Sequence, residues 1–213
     1  MHWPPLMGLT ADAISISLQE QTAALCSAGL SWLQLRDKSR IDQELEPIAF
    51  ECLVRCREVG CTFVINDRLS LVKKIGADGV HLGRHDSTWE EARDFLGSGF
   101  LIGGTVNSIA DAERAVSCGV LDYVGVGPYR FTTTKKNLAT VLTPKEWEAI
   151  IDTLGNLPVY AIGGIGLEDC KNLASWKITG IAVCSALYQG SDIGHNYHQF
   201  IKEYEEQNPE NCR

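Results

Sequence analysis

Leu121-Asp-Tyr-Val-Gly-Val126 runs straight into Gly127-Pro-Tyr-Arg-Phe-Thr-Thr-Thr-Lys-Lys-Asn137. The first six residues read as a fully buried strand, and the next eleven form a loop with specific chemistry. Glycines let a backbone come close to a ligand, and Thr132 and Thr134 put two hydroxyls on one side of an extended chain. Lys135 adds a compact, strongly hydrated charge. This is a phosphate-handling composition, although Gly, Pro and Thr are also ordinary loop residues and a Lys-Lys pair is commonly just solvated. The spacing is not that of a nucleotide P-loop.

A short β-rich run followed by a polar turn recurs along the whole chain. Strands are predicted at Leu6 to Thr10, Trp32 to Arg36, Thr62 to Asn66, Gly79 to Leu82, Leu101 to Thr105, Tyr123 to Val126, Val159 to Ile162 and Gly180 to Cys184. Between them, helical periodicity covers Ile16 to Ala28, Gln43 to Val59, Thr88 to Leu96, Ile109 to Cys118, Pro144 to Thr153 and Glu168 to Ala174, with a final helix near the C-terminus. Ser87 or Thr88 ahead of Glu90 and Glu91, and Thr143 ahead of Pro144 and Glu146, are good helix starts because they satisfy free amides and complement the positive end of the dipole. Eight strand-helix units in 213 residues predict a (β/α)8 TIM barrel rather than an open doubly wound sheet.

A barrel carries its functional residues at the carboxyl ends of its strands. Arg36 and Lys38 fall at the end of the second strand, Asn66 and Asp67 at the third, and Asp86 after the fourth. Thr105 ends the fifth, Thr132 to Lys135 follow the sixth, Gly163 and Gly164 the seventh, and Cys184 and Ser185 the eighth. Seven loops thus deliver polar or glycine groups to one rim, which a chance arrangement would have scattered over both ends.

The composition, 45% hydrophobic and 22% charged, suits one globular domain over residues 1–213, with residues 1–5 and 204–213 expected to fray. A formal charge of −8 opposes non-specific attraction to nucleic acid or anionic lipid, so a phosphorylated ligand needs locally concentrated positive groups. No apolar run reaches membrane-spanning length and the amino terminus does not read as a signal peptide, which predicts a cytoplasmic protein that engages neither membrane nor nucleic acid. Assembly into a homo-oligomer is left open. The eight cysteines are scattered, and Cys52 and Cys56, one helical turn apart, do not complete a tetrahedral zinc site; reduced, mostly buried thiols are expected.

In Gln34-Leu-Arg-Asp-Lys38, strand alternation turns Gln34, Arg36 and Lys38 to one face and Leu35 toward the helices. A planar guanidinium fork beside an ammonium suits a diphosphate. The competing reading pairs these bases with Asp37 and Glu44. Asp67 and Asp86, supplied by neighbouring strands, offer the hard oxygen ligands that suit Mg2+, against the alternative that each caps a helix. Gly163-Gly164 with Cys184-Ser185 fits the phosphate pocket that barrels build from their last two loops. Two phosphorylated small molecules and a metal therefore have places on one rim. His81 lies within a strand and is expected in the packed interior; His195 and His198 are expected to form a surface pair.

The segments Gln34-Leu-Arg-Asp-Lys38, Ile65-Asn-Asp-Arg68, Ala77-Asp-Gly-Val-His-Leu-Gly83, Asp122-Tyr-Val-Gly-Val-Gly-Pro128, Thr132-Thr-Thr-Lys135 and Ala161-Ile-Gly-Gly-Ile165, in this order, resemble the thiamine phosphate synthase family. The resemblance spans Leu6 to Gln189. It implies a Mg2+-dependent transferase that joins hydroxymethylpyrimidine diphosphate to thiazole phosphate and releases diphosphate, by departure of diphosphate before the thiazole nitrogen attacks. It further implies that Gln34, Arg36, Lys38, Asn66, Thr105 and Lys135 hold the pyrimidine diphosphate, with Arg36 and Lys135 in the catalytic role. Asp67 and Asp86 would bind the metal, and Thr132, Thr134, Gly164, Cys184 and Ser185 the thiazole phosphate.

Four positions depart from the family pattern. Thr105 stands for Ser, Arg84 for Gln beside Asp86, Cys184 for an aliphatic residue, and Ser70 for an Asp that precedes a helix. Arg84 is expected to act on Asp86 or on the diphosphate, and Ser70 to cap. Two rival functions share the barrel: a thiazole tautomerase, against which Thr134-Lys135 and the aspartate pair argue, and a non-catalytic phosphate-ligand binder.

Overall fold

The structure, a computed structural model, describes residues 3–131 and 140–206. Eight parallel strands close into a barrel in sequence order: β1 (Leu6–Leu9), β2 (Trp32–Leu35), β3 (Thr62–Asn66), β4 (Gly79–Leu82), β5 (Leu101–Val106), β6 (Tyr123–Val126), β7 (Val159–Ile162) and β8 (Gly180–Val183). The ring shuts where Leu6, Met7 and Gly8 of β1 pair with Ile181, Ala182 and Val183 of β8. Each strand end lies within one residue of its predicted position. Around them run α1 (Leu18–Ser27), α2 (Asp42–Glu58), α3 (Leu69–Ile75), α4 (Trp89–Leu96), α5 (Ile109–Cys118), α6 (Pro144–Leu154), α7 (Cys170–Ala174) and α8 (Ile193–Glu205).

Local chemistry sets the helix starts. Thr88 and Thr143 each accept from the amide three residues on while Glu91 and Glu146 bond back to the cap, and Pro144 opens α6. Ser17 and Glu20 do the same for α1. The short α3 escapes prediction because its first residue follows Arg68, which makes no side-chain cap. Ser70 therefore lies inside that helix and does not cap it. The helix predicted at Glu168 to Ala174 divides into a 3-10 turn, Leu167–Asp169, and α7.

Two apolar layers result from strand alternation. Leu33, Leu35, Phe63, Ile65, Val80 and Leu82 point outward and pack against the helices. Met7, Leu9, Trp32, Val64, Leu101, Tyr123, Tyr160 and Ala182 fill the barrel interior. Size complementarity decides this inner layer: a Cβ on Gly103 would sit 2.2 Å from Cζ of Tyr123, so only glycine leaves room for that ring.

The ends expected to fray are partly held. Trp3 stacks on Trp32 with ring centroids 4.9 Å apart, Tyr160 donates to the Pro4 carbonyl at 2.8 Å, and the Ile181 amide donates to that of Pro5. At the other end Tyr204, in the last turn of α8, is buried. Burying a large ring outweighs the entropy of leaving the terminal residues loose. No helix among the described residues is long and apolar enough to cross a membrane.

Candidate active site

The chain leaves each strand at the same end of the barrel, and the predicted polar residues meet there. At the end of β2, Gln34 and the following Arg36 are buried, whereas Leu35 joins the outer core. Gln34 Nε2 reaches Met7 Sδ at 3.4 Å. The Arg36 backbone is locked to β1 by Thr10, whose hydroxyl accepts from the Arg36 amide (2.8 Å) and donates to its carbonyl (3.0 Å). Its guanidinium stands 3.6 Å from an Asp12 carboxylate oxygen, and Asp12 also accepts the Lys38 amide at 2.8 Å. Asp12 was not read from the sequence; its signal is its place two residues past Thr10, where β1 delivers it to the rim.

The competing reading, in which these bases pair with Asp37 and Glu44, does not hold, because both carboxylates have other partners. Asp37 is buried and turned away, accepting the amides of Ser39 (2.9 Å) and Arg40 (2.8 Å) and pairing with the Arg40 guanidinium. Burial opposes its charge, yet the Arg40 bonds win and hold its carboxyl below the usual range. Glu44 bonds instead to the Ile41 amide at the start of α2.

Lys38 extends to Asp67, and Asp86, delivered by the next strand, acts on the Asp67 carboxyl. Neither aspartate caps a helix, since α3 starts from Arg68 and α4 from Thr88. Asp67 takes a left-handed conformation, φ 66°, with its amide bonded to the His81 carbonyl at 2.8 Å. A non-glycine residue held there is strained by roughly 1–2 kcal/mol, which points to a carboxylate placed for use. Asp86 is steadied by the Gly83 amide, 2.7 Å from its Oδ2. Desolvation first, and Asp86 second, push the Asp67 carboxyl up to about 6, against the attraction of Lys38. Two crowded acidic oxygens at a half-open rim fit a small divalent cation, which would remove that repulsion.

Arg84 forms no ion pair with Asp86. It is exposed and points to Asp111 of α5, 3.9 Å away. His81 is buried in the interior as expected and joins the site indirectly: Nε2 lies 3.0 Å from the Thr105 hydroxyl and Nδ1 3.2 Å from the Tyr123 hydroxyl. Thr105 is thereby fixed in orientation at the end of β5. Asn66 closes β3 in register with His81. His195 and His198 lie on α8, far along the chain from these groups, where His195 bonds Gln199 at 3.3 Å.

The other half of the rim is built by β6, β7 and β8. After β6 the chain is bound along β7, with Tyr129 donating to the Ile162 carbonyl (2.9 Å) and Arg130 to that of Gly163 (2.8 Å). Gly163 and Gly164 both have left-handed φ, 99° and 70°, and a Cβ on Gly164 would lie 3.0 Å from the carbonyl oxygens of Arg130 and Phe131. That close approach explains the glycine pair. Arg130 also forms an ion pair with buried Asp169, itself bonded to the Gly166 amide at 2.9 Å. This tie was not read from the sequence. Thr132, Thr134 and Lys135 lie outside the described residues. After β8, Cys184 Sγ lies 3.6 Å from the Thr10 carbonyl, and burial first pushes its thiol up to about 11. Ser185 opens a short 3-10 turn through Tyr188.

The thiamine monophosphate synthase family model matches residues 7–187. The chain belongs to that family. It is 45% identical over 191 residues to the thiamine-phosphate synthase of Phocaeicola vulgatus, covering 88% of this chain and 91% of that protein. With the thiamine-phosphate synthase of Bacteroides fragilis it shares 37% over 191 residues, 88% and 93% of the two. Among solved structures, thiamine phosphate pyrophosphorylase from Pyrococcus furiosus superposes with a TM-score of 0.87 at 27% identity, over 97% of this chain and 98% of that one. The chain is thus an enzyme, a thiamine-biosynthesis transferase on a TIM barrel, as the motifs implied. Within a thiamine monophosphate synthase, the arrangement gives one rim a basic half with paired carboxylates and a second half built for close backbone approach.

Proposed function

We propose that this thiamine monophosphate synthase condenses 4-amino-2-methyl-5-(diphosphooxymethyl)pyrimidine with 4-methyl-5-(2-phosphoethyl)thiazole, or its carboxylate, to thiamine phosphate and diphosphate. The observation that carries the reading is the convergence of Arg36, Lys38, Asp67 and Asp86 on one point of the rim. The pyrimidine diphosphate is held by Gln34, Arg36, Lys38, Asn66, Thr105 and Lys135. Thr105, set by His81, presents its hydroxyl to the ring. The C–O bond to diphosphate breaks, leaving a pyrimidine-stabilised methylene cation, and the thiazole nitrogen forms the new C–N bond. Arg36 and Lys135 offset the charge that builds on the departing diphosphate, so positioning and charge neutralisation do the catalysis and no general base is required. Gly164, Cys184, Ser185, Thr132 and Thr134 hold the thiazole phosphate.

Asp67 and Asp86 would hold Mg2+. Bound there, the ion supplies Lewis-acid stabilisation of diphosphate oxygens. We place the enzyme in the cytoplasm and read residues 1–213 as a single domain acting on two phosphorylated small molecules, without nucleic acid or membrane, and with a homo-oligomer open. Mass-spectrometric detection of thiamine phosphate from the two purified substrates tests the reaction; conversion of thiazole isomers alone, with no condensation, overturns it in favour of a tautomerase. Excess chelator is expected to abolish turnover and added Mg2+ to restore it. Full turnover in chelator rules out the metal assignment.

A further inference from the structure

Cys26 at the end of α1, Cys56 near the end of α2 and Cys61 just before β3 are buried, and their Sγ atoms all lie within 4.8 Å of one another. Chain geometry brings them together. Gly60, with φ 71°, reverses the chain after α2 so that the Cys61 amide bonds back to the Cys56 carbonyl at 2.9 Å. Packing of α1 on α2 then sets Cys26 Sγ 3.8 Å from Cys56 Sγ. The cluster sits where helices end and strands begin, opposite the active site, so substrate chemistry does not account for it.

We propose that these three sulfurs form a binding site for one soft, thiophilic metal ion, with Cu+ the occupant that their number fits. A metal-sulfur bond of about 2.3 Å sets the S–S edges of a three-coordinate plane at about 4.0 Å, so the 3.8 Å separation already matches and the remaining edges close with small rotations of χ1. Among the described residues no fourth Cys, His, Asp or Glu atom joins the group, whereas structural zinc takes four ligands. A dry pocket of three thiolates selects a soft ion of low coordination number.

Arg55 lies alongside, on the same stretch of α2 as Cys56. Its Nη2 bonds the Ser27 hydroxyl at 3.2 Å, its Nη1 bonds the Glu58 carboxylate at 2.9 Å, and its buried Nε has no hydrogen-bond partner among the described residues. Copper binding forms three Cu–S bonds and releases the proton of each thiol that binds as a thiolate.

The test is an anaerobic titration of the reduced, full-length protein with Cu+ against a chromophoric Cu+ chelator, followed by X-ray absorption at the copper edge. One equivalent bound with three sulfur neighbours is expected. Cys26→Ala and Cys56→Ala should each lose that equivalent while keeping condensation activity, and Cys52→Ala and Cys170→Ala, which remove buried thiols outside the cluster, should keep it. Absence of binding, a copper with two sulfur neighbours, or full binding by folded Cys26→Ala overturns the proposal. If the alanine variants do not fold, the sulfur count in the unmodified protein decides.

Discussion

At the scale of single residues, Asp67 carries the most strain and the most consequence. It is a left-handed, largely buried carboxyl beside a second carboxyl, and burial with Asp86 raises it to about 6. A carboxyl whose folded pKa exceeds its unfolded value, about 4, binds more protons in the folded state between those two values. Stability from this residue is therefore present below about pH 4, falls as pH rises to about 6, and is level above. Asp67→Asn removes the titration and keeps a side chain that tolerates the left-handed region. In chelator, the variant should melt higher than the unmodified enzyme at pH 8, by on the order of 2 kcal/mol, with the gap closing at pH 4. Condensation activity should fall by at least 100-fold. Thermal melts at pH 4, 6 and 8 check the first part, and a variant less stable at pH 8 contradicts the cost assigned to that charge. The exchange of stability for function at one position is the pattern expected of a metal ligand set.

Between elements, the tie that matters most is Arg130 to Asp169, which fastens the chain leaving β6 to the turn before α7. Asp169 is fully buried while the Arg130 side chain is about half exposed, so the ion pair is partly screened and the amide of Gly166 also satisfies the buried carboxylate. Asp169→Asn is expected to cost about 1–2 kcal/mol and to raise KM for the thiazole phosphate more than for the pyrimidine diphosphate, as that half of the rim loosens. Steady-state kinetics with each substrate varied in turn separates the two; equal effects on both would place Asp169 in general stability. These ties were the part of the site hidden from sequence. Gln34, Arg36, Asp67 and Asp86 announced themselves by alternation and by position at strand ends, because both arise from local geometry. Asp12, Arg130 and Asp169 act through partners 24, 39 and 39 residues away respectively, and no local pattern encodes such a pairing. The same limit hid the three-sulfur cluster, whose members belong to two helices and a strand start. It also hid the contact of Arg84 with Asp111 on α5, 27 residues further along.

Over the whole molecule, the barrel separates stability from chemistry by end. Its lower end is sealed by rings: Trp3 on Trp32 at 4.9 Å, with Tyr123 edge-on to Trp32 at 5.1 Å and to Tyr160 at 6.1 Å. Its upper end holds crowded charges and left-handed backbone that cost stability. Substitutions at the two ends should therefore have opposite signatures. Trp3→Ala removes a stacked ring that closes the interior, at an expected cost of about 2 kcal/mol, or roughly 4–8 °C in Tm for a chain of this size. At 25 °C its kcat and both KM values should match those of the unmodified enzyme, because the rings between Trp3 and the rim stay packed. Lys38→Met should do the reverse, leaving Tm within about 2 °C while lowering kcat/KM for the pyrimidine diphosphate at least tenfold, since the ammonium is half exposed and its partner Asp67 is better neutralised by a cation. Melting curves and kinetics on the pair, with the double variant showing additive effects, test whether the ends act independently. Loss of kcat in Trp3→Ala would show instead that the inner ring layer transmits its packing to Thr105 through Tyr123 and His81, the continuous chain of contacts between the two ends.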